Sequence, residues 1–267
     1  MDGALRVRVA VHDGESRVAE SYARAPYHYL PIIQRDRDLP LLTIVNSSGG
    51  ILGGDVLDAR IELDAHAAVM LRQQAATKVY RSTCGPARSR CHFVLGEGAW
   101  LDYFPDELIP FAGSDYRQTT EVDVAPGAVM LLSEMVTAGR VARGEQFAFR
   151  RLLLDVQCRS DGVLRLRDCS DVQPAQQRLD SPAILGGALM WGTLYVLTTR
   201  ALSSELIDDV RRQLGSIDGG IGGVTRAPLG LIARVVGASL EGIRAALQGA
   251  RSRIRQRVVQ KEMKPCG

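Results

Sequence analysis

The sequence has 267 residues, of which 46% are hydrophobic and 24% charged, and its formal net charge is +3. This composition argues against intrinsic disorder, and so small a charge gives no reason to expect nucleic acid as a partner. No basic and apolar leader and no apolar run long enough to span a bilayer are seen, so neither secretion nor a membrane location is predicted. Five widely spaced cysteines in a chain of this length predict reduced thiols in a cytoplasm.

The first part of the chain has the patterns of β-strands. Residues 5–11 alternate apolar and basic side chains, Asp13-Gly14 is a turn sequence, and residues 17–21 are predicted to form the partner strand. Prolines and charges between residues 26 and 40 predict a connection. The β-branched run 41–45 then predicts a strand that leads into a glycine-rich stretch.

This glycine-rich stretch is the feature around which the chain is organised. Two glycine pairs, Gly49-Gly50 and Gly53-Gly54, are followed by Asp55 and by an alternating run over residues 56–63. The spacing does not match a phosphate-binding loop or a nucleophile elbow. A tight, buried structural turn that feeds a strand is therefore the local interpretation.

A loose repeat follows the glycine pairs. Residues 66–71, 98–103 and 127–132 each follow an acidic or proline turn, at a spacing of about thirty residues, and residues 159–167 are a weaker fourth copy. Such a period predicts strands stacked coil upon coil, although a β-sandwich with regular hairpins gives nearly the same pattern.

Helical periodicity appears only near the end of the chain. One helix is predicted over residues 203–214 with Leu206, Ile207, Val210 and Leu214 on one face, a second over 239–248, and a third from 250 to about 261. No linker-like composition separates these helices from the strands. We therefore expect a single domain, with a β stack over about 1–200 and a helix-bearing segment over about 201–267.

Two neighbouring motifs resemble a known signature. The stretches SSGGILGGD (47–55) and QAATKVYRS (74–82) are similar to the signature of the urease accessory proteins called UreD, or UreH in some species. Later elements resemble the same family in the same order, at residues 105–111, 134–147 and 186–194. The resemblance thus covers most of the chain.

The departures from the family pattern are mild. Asp106 stands where many members carry Gln, Ser133 stands where many carry Trp, and residues 261–267 lack the usual aromatic ending. These differences bear on partner contacts near the end of the chain more than on membership of the family.

The resemblance implies a mainly β fold, a helix-like stack of strands with a small helical part. It also implies a non-catalytic scaffold that binds UreF and, through it, the GTPase UreG, docks on the urease apoprotein and passes nickel through an internal polar passage. The protein would bind Ni²⁺ only in transit and would hold no tightly bound cofactor. A dimeric assembly of the accessory complex is also compatible with the resemblance. The alternatives are a passive assembly module without a metal role and a solenoid carbohydrate-active enzyme with paired carboxylates.

Candidate nickel ligands are the carboxylates at matched motif positions, Asp55, Glu107 and Glu134. An ion that must be released needs weak oxygen ligands, and buried carboxylates need partners or water. The alternative is an internal salt bridge with Lys78, Arg81 or Arg140. Five residues are candidates for the lining of the passage or for a partner contact: Thr77, Lys78, Tyr80, Arg81 and Arg140. For residues 77–81 the alternative is a solvated edge strand.

Two further groups of residues, a cysteine and histidine cluster and a basic tail, each have a structural and a functional interpretation. Cys84, Cys91 and His92 form the only cluster of thiols and imidazole, but buried structural cysteines are commoner than a metal site. The basic tail 251–264 predicts an exposed basic helix, with an acidic partner surface as the functional alternative.

Overall fold

A computed structural model describes residues 1–34, 39–215, 217 and 219–259. Strands make up 52% of it and stack into about four β-solenoid turns, with two helices, so the predicted fold class is confirmed. The elements of these residues are, in chain order, β1 (Asp2–His12), β2 (Glu15–Arg24), β3 (Tyr27–Ile33), β4 (Leu41–Asn46), β5 (Val56–Leu63), β6 (Ala68–Gln74), β7 (Thr77–Val79), β8 (Ala87–Leu95), β9 (Trp100–Tyr103), β10 (Leu108–Pro110), β11 (Asp115–Val124), β12 (Val129–Thr137), a 3₁₀ helix (Val141–Arg143), β13 (Arg151–Ser160), β14 (Val163–Val172), β15 (Met190–Thr198), α1 (Ser204–Gly215), β16 (Ile221–Ala227), β17 (Gly230–Gly237) and α2 (Leu240–Val259).

The strands form two sheets that face each other. The first sheet has the order β14-β13-β11-β8-β5-β1-β2. The second has the order β16-β17-β15-β12-β9-β6-β4-β3, and in addition the short strand β10 pairs with β12 and β7 pairs with β10. The centre of each sheet is parallel, formed by β1, β5, β8, β11 and β13 in the first and by β4, β6, β9 and β12 in the second. The chain therefore climbs by one coil for each pair of strands.

The repeat in the sequence corresponds to these coils. Ala68 pairs with Trp100 and Trp100 with Val129, so the three main copies lie side by side in the second sheet. The prediction of a fourth copy at residues 159–167 is wrong. Residues 159–167 belong to the antiparallel hairpin of β13 and β14, whose turn is Asp161-Gly162, because an Asp-Gly pair with positive φ favours a two-residue hairpin.

Each coil passes from the first sheet to the second through the same turn. His66, Gly98 and Gly127 occupy equivalent positions with φ of 61°, 63° and 72°, and the alanine after each of them is fully buried. The turns also bond to one another: the amide of His66 donates to the carbonyl of Glu97 at 2.8 Å, and that of Gly98 to Pro126 at 3.1 Å. A left-handed residue at this corner is therefore a requirement of the stack.

Two apolar cores hold the layers together. The larger lies between the two sheets, and the other lies between the second sheet and the helices. α1 buries Leu206, Ile207, Val210 and Leu214, as its periodicity predicts.

The last helix differs from the prediction. Residues 240–259 form one continuous helix where two were expected, and the end of the expected third helix lies outside the described residues. Gly249 does not end α2 because it packs against α1, where a Cβ at Gly249 would lie 2.5 Å from Nε2 of Gln213. Close packing between helices has overridden the local preference of glycine for a helix end.

The predicted connection 26–40 also differs, because it contains β3. This strand pairs with β4 and forms the edge of the second sheet, a position where the missing amide of Pro31 is tolerated. Residues 35–38 lie outside the described part of the chain.

A buried ion pair fixes α2 to the second sheet. Asp102 of β9 is fully buried, and its Oδ1 accepts a hydrogen bond from Nε of Arg251 at 2.5 Å. Nε of Arg255 lies 3.6 Å from Oδ2 of the same carboxylate. The prediction of an exposed basic helix is therefore wrong for Arg251, whose side chain is only 8% exposed.

Replacing Gly98 by valine should lower the free energy of unfolding by about 2–3 kcal/mol, because a β-branched residue is strained at positive φ. An added Cβ would also lie 2.6 Å from the His66 ring. Urea unfolding measures the loss. Gly223→Val is the matched control, since Gly223 lies in a strand with open space around it, and equal losses in both variants would contradict the explanation.

Asp102→Asn should cost about 3–5 kcal/mol in urea unfolding, because it leaves the Arg251 guanidinium buried without its counter-charge. The double variant Asp102→Leu/Arg251→Met should recover most of that loss, since an apolar pair of similar volume avoids the desolvation of both charges. A double variant no more stable than Asp102→Asn would show that the pair does not act as a unit.

Candidate functional site

The second sheet is interrupted at the same level in successive coils. β4 ends at Asn46, β6 at Gln74 and β9 at Tyr103, and β7 and β10 resume beyond the break. The matching register of β6 with β9 and of β7 with β10 aligns the gaps. We call this opening the window; its borders are residues 46–50, 74–76, 104–107 and 133–135.

β12 forms the uninterrupted border of the window. It pairs with β9 as far as Leu132 and with β10 again at Val136, so residues 133–135 flank the gap. Glu134 therefore lies on a strand whose neighbour on this side is missing.

A cavity of about 70 Å³, lined by both polar and apolar residues, lies beneath the window. Since a water molecule needs roughly 10–15 Å³ by this measure, several waters could be accommodated. The polar residues that line the cavity are Tyr27, Asn46, Gln73, Thr77, Ser89, Cys91, Tyr103, Asp106, Tyr116, Gln118, Thr120, Ser133 and Glu134. A second, outer pocket of about 250 Å³ shares Asn46, Ile51, Gln73 and Thr77 with it. The space between the sheets thus continues into the window.

Hydrogen bonds run along the cavity wall in two short chains. The Tyr103 hydroxyl donates to Oε1 of Gln73 at 2.8 Å, and Nε2 of Gln73 donates to Oγ1 of Thr77 at 2.9 Å. On the opposite wall, the Tyr116 hydroxyl donates to Oε1 of Gln118 at 3.1 Å. Oxygen atoms therefore predominate among the polar groups of the cavity.

Glu134 is one of two carboxylate residues that line this cavity, the other being Asp106. Nε2 of Gln118 donates to its Oε1 at 3.0 Å. Burial raises the pKa of Glu134 to about 7, the charge of Asp168 acts in the same direction, and the Tyr195 hydroxyl and Gln118 amide partly oppose the change. Near neutral pH the side chain is therefore close to the point at which it exchanges a proton.

The thiol and phenol groups of the cavity are held neutral. Burial raises the pKa of Cys91 to about 11 and raises the pKa values of Tyr103 and Tyr116. The neighbouring residue His92 points to the other face of β8, where its Nδ1 accepts from Arg60 and its Nε2 donates to Asp123, both at 2.7 Å. Cys91 and His92 are thus on opposite faces of the sheet.

The structure does not bring the third member of that cluster to the other two. Cys84 lies on an exposed loop. Over the ranges that the structure describes, no group of three or more His, Cys, Asp or Glu residues could hold a metal ion.

In those same ranges, no helix combines the length and apolar character that a membrane crossing requires.

The two signature motifs form one structural unit at the window. The amide of Ile51 donates to the carbonyl of Lys78, and that of Tyr80 donates to the carbonyl of Ile51, each at 2.8 Å. A Cβ at Gly50 would overlap the Tyr80 ring, and one at Gly53 would lie 2.6 Å from Cα of Ser82.

The other two signature glycines serve the turn itself. Gly49 and Gly54 have φ of 71° and 88°. Each pair therefore combines one residue required by backbone conformation with one required by close approach.

A column of motif side chains continues from this unit into the next coils. The Tyr80 ring stands edge-on to Phe111 at 5.1 Å, and the guanidinium of Arg140 lies 4.3 Å from the centroid of Phe111. Arg140 in turn forms a two-pronged ion pair with Glu145. Tyr80 and Arg140 thus connect neighbouring coils, and neither is among the residues that line the cavity.

The remaining predicted residues have separate places. Thr77 lines the cavity, Lys78 is exposed beside the outer pocket, and Arg81 is an exposed residue next to Gly113. Asp55 is buried away from the cavity lining, where its carboxylate accepts from the N-terminal ammonium of Met1 at 2.7 Å and from the amide of Leu52 at 2.9 Å. Neither Lys78 nor Arg81 is its partner.

Glu107 borders the window and pairs with Arg244 of α2. Asp106 binds the other side of the same guanidinium, at 3.0 Å. Sequence reasoning did not find Arg244, Gln118 or Tyr116 as site residues. The alternation of Tyr116, Gln118 and Thr120 was the available signal, because polar side chains on the buried face of a strand indicate a wet interior.

Comparison with known proteins agrees with the motifs. A family profile described as UreD urease accessory protein matches residues 1–266. The chain is 34% identical over 236 residues to urease accessory protein UreD of Paracoccus denitrificans, covering 88% of this chain and 81% of that protein. It is 31% identical over 262 residues to urease accessory protein UreD 2 of Streptomyces griseus, covering 95% and 89%. The UreD of Opitutus terrae is 39% identical over 171 residues, 63% of each chain.

The raised pKa of Glu134 predicts a specific pH dependence. A carboxyl whose pKa is higher in the folded state stabilises the fold fully below its unfolded value, and this contribution is lost as the pH rises through about 7. Relative to wild type, Glu134→Gln should therefore gain about 2–3 kcal/mol in free energy of unfolding between about pH 5 and about pH 8. Urea titrations at the two pH values give this difference.

The matched control is Glu97→Gln, which changes an exposed turn residue. This variant should follow the wild type in parallel at both pH values. Parallel curves for Glu134→Gln would contradict the assignment.

Proposed function

Because the chain belongs to the UreD family of urease accessory proteins, we propose that it is a non-catalytic scaffold that helps deliver nickel during urease maturation. In this proposal it binds UreF and, through UreF, the GTPase UreG, docks on the urease apoprotein and passes Ni²⁺ through the cavity and window. The carrying observation is the position of Glu134, an interior carboxylate in an oxygen-rich cavity that continues into an opening of the sheet.

The chemistry of the cavity supports transit of an ion. Carboxylate, phenol, amide and hydroxyl oxygens bind divalent cations more weakly than a closed set of thiolates or imidazoles would. The neutral thiol of Cys91 would need to lose its proton to become a strong ligand. A cation that passes Glu134 is therefore attracted by a charge but not held by a closed site.

The convergence of motifs supports the same site. The first glycine pair, Gly49-Gly50, residues 74–77, residues 105–108 and Glu134 all border the window or the cavity. These segments lie far apart in sequence and belong to different coils. Asp55 and Glu107, of which Glu107 borders the window, stay predictions as nickel ligands.

Glu134→Gln should lower the nickel content of urease by about tenfold when urease is activated with the complete accessory set. Loss of one charged ligand worth on the order of 1–2 kcal/mol has an effect of this size. Nickel is measured by mass spectrometry of the purified urease, and UreF is quantified in a pull-down with the variant. We expect UreF binding to be unchanged, because Glu134 is half-buried and glutamine has nearly the same size and shape.

Glu97→Gln serves as the control and should load nickel as the wild type does. Normal nickel content with Glu134→Gln would argue for the alternative, a passive assembly module without a metal role. Loss of UreF binding would instead indicate a change in the fold.

A further inference from the structure

One side chain of the helix layer, that of Arg244 in α2, contacts the border of the window. Nη1 of Arg244 lies 3.0 Å from Oδ1 of Asp106, and its Nη2 pairs with Oε2 of Glu107. Asp106 also lines the cavity. The guanidinium therefore bridges two carboxylates at the place where the interior reaches the helix side of the sheet.

The cavity extends through the sheet at this point. Its lining includes Glu134 and Val136 and also the alternating residues Ser133 and Met135. Met135 packs in the core beneath the helices, whereas Val136 packs between the sheets. Ser133 is fully buried, and its hydroxyl has no hydrogen-bond partner within the described ranges. One of the residues that line the cavity thus carries a buried hydroxyl without a partner among the described residues.

Two arginines on α2 are bound in different ways. Arg251 is 8% exposed and pairs with the fully buried Asp102, so its release would leave a buried charge. Arg244, seven residues earlier, is 33% exposed, and its partners Asp106 and Glu107 are 39% and 14% exposed. Ion pairs that water reaches are weak and exchange readily. The helix is therefore anchored at Arg251, while release of the Arg244 side chain costs less because water reaches both it and Asp106.

We propose that Arg244 is a latch on the window, an internal cation that occupies a divalent-cation site formed by Asp106 and Glu107. With the guanidinium in place, two negative charges face one positive charge. When it swings away, the two carboxylates remain beside the cavity and bind a divalent cation through oxygen ligands. This inference rests on the proposed function, because it names what controls access to the passage.

The latch is tested by Ni²⁺ binding to the purified full chain, measured by equilibrium dialysis. Arg244→Met should bind Ni²⁺ at least about tenfold more tightly than the wild type, because a competing unit charge within about 4 Å is removed. Asp106→Asn/Glu107→Gln in the Arg244→Met background should abolish the gain. Arg244→Lys keeps the charge and should remain close to the wild type.

Arg257→Met is the matched control. It removes one positive charge from the same helix, from a pair with Asp209 that is remote from the window, and should leave Ni²⁺ binding unchanged. The proposal is overturned if folded Arg244→Met gains nothing, if the gain survives loss of both carboxylates, or if Arg257→Met gains equally. Circular dichroism establishes folding of each variant.

The assay contains no urease, so its result is separate from that of the nickel-loading experiment. A gain with Arg244→Met together with normal loading by Glu134→Gln would support the latch site and refute the role of Glu134 in the passage. The opposite pair of results would refute only the latch.

Discussion

Hydrogen bonding from one coil to the next is the constraint on which the structure depends. In a parallel stack, the backbone amides and carbonyls of each strand form hydrogen bonds with the strands of the neighbouring coils. A break in one coil therefore leaves amides and carbonyls that need other partners. Here the breaks align, and pairing resumes immediately beyond them: Ile51 bonds to Lys78, and the amide of Thr77 donates to the carbonyl of Glu107 at 2.8 Å. The gap is thereby confined to a few residues, and the sheet keeps its register on both sides.

Two acidic residues of the second sheet show how the same fold treats buried charge in opposite ways. Asp102 faces the helices and is neutralised by Arg251. Glu134 faces the cavity, where its direct hydrogen bond comes from the neutral amide of Gln118. An arginine bound to a carboxylate would occupy its oxygens. The charge of Arg234 acts to lower the pKa of Glu134, but among the described residues no ion pair with this carboxylate is formed, so its oxygens stay able to exchange a proton or a cation. The ion pair of Asp102 stabilises the packing of the helices on the sheet, whereas the environment of Glu134 suits the passage of an ion.

The sequence predicts the coils because their determinants are local. A left-handed corner followed by a small buried residue recurs at His66, Gly98 and Gly127, and the strand pattern follows each corner. The helical face of α1 is likewise a matter of periodicity. β3 was missed because its proline and flanking charges indicate a loop, and only its position at a sheet edge makes them acceptable.

The site itself could be predicted only in part. The motifs pointed to Glu134 and Thr77, but the window arises from the relative register of separate coils, which no local pattern records. The partners of the carboxylates are more distant still, since Glu107 and Arg244 are separated by 137 positions and Asp102 and Arg251 by 149. Charge pairs of this kind depend on where α2 is placed. Sequence reasoning therefore gave Asp55 and Glu107 the same role, whereas one is bound inside a turn and the other to a helix.

The placement of α2 connects the remaining motif to the window. A Cβ at Gly192 would lie 2.7 Å from Leu247 and 2.9 Å from Ile243, so the glycine allows α2 to approach β15 closely. β15 pairs with β12, and Gly192 lies opposite Met135 at the border of the window. Because Ile243 and Leu247 are fixed there, the side chain of the intervening Arg244 is carried to the carboxylates of residues 106 and 107. A gap in a sheet that is lined by polar groups would otherwise open the second core to water. Close packing at one glycine thus determines both how the gap is covered and which side chain covers it.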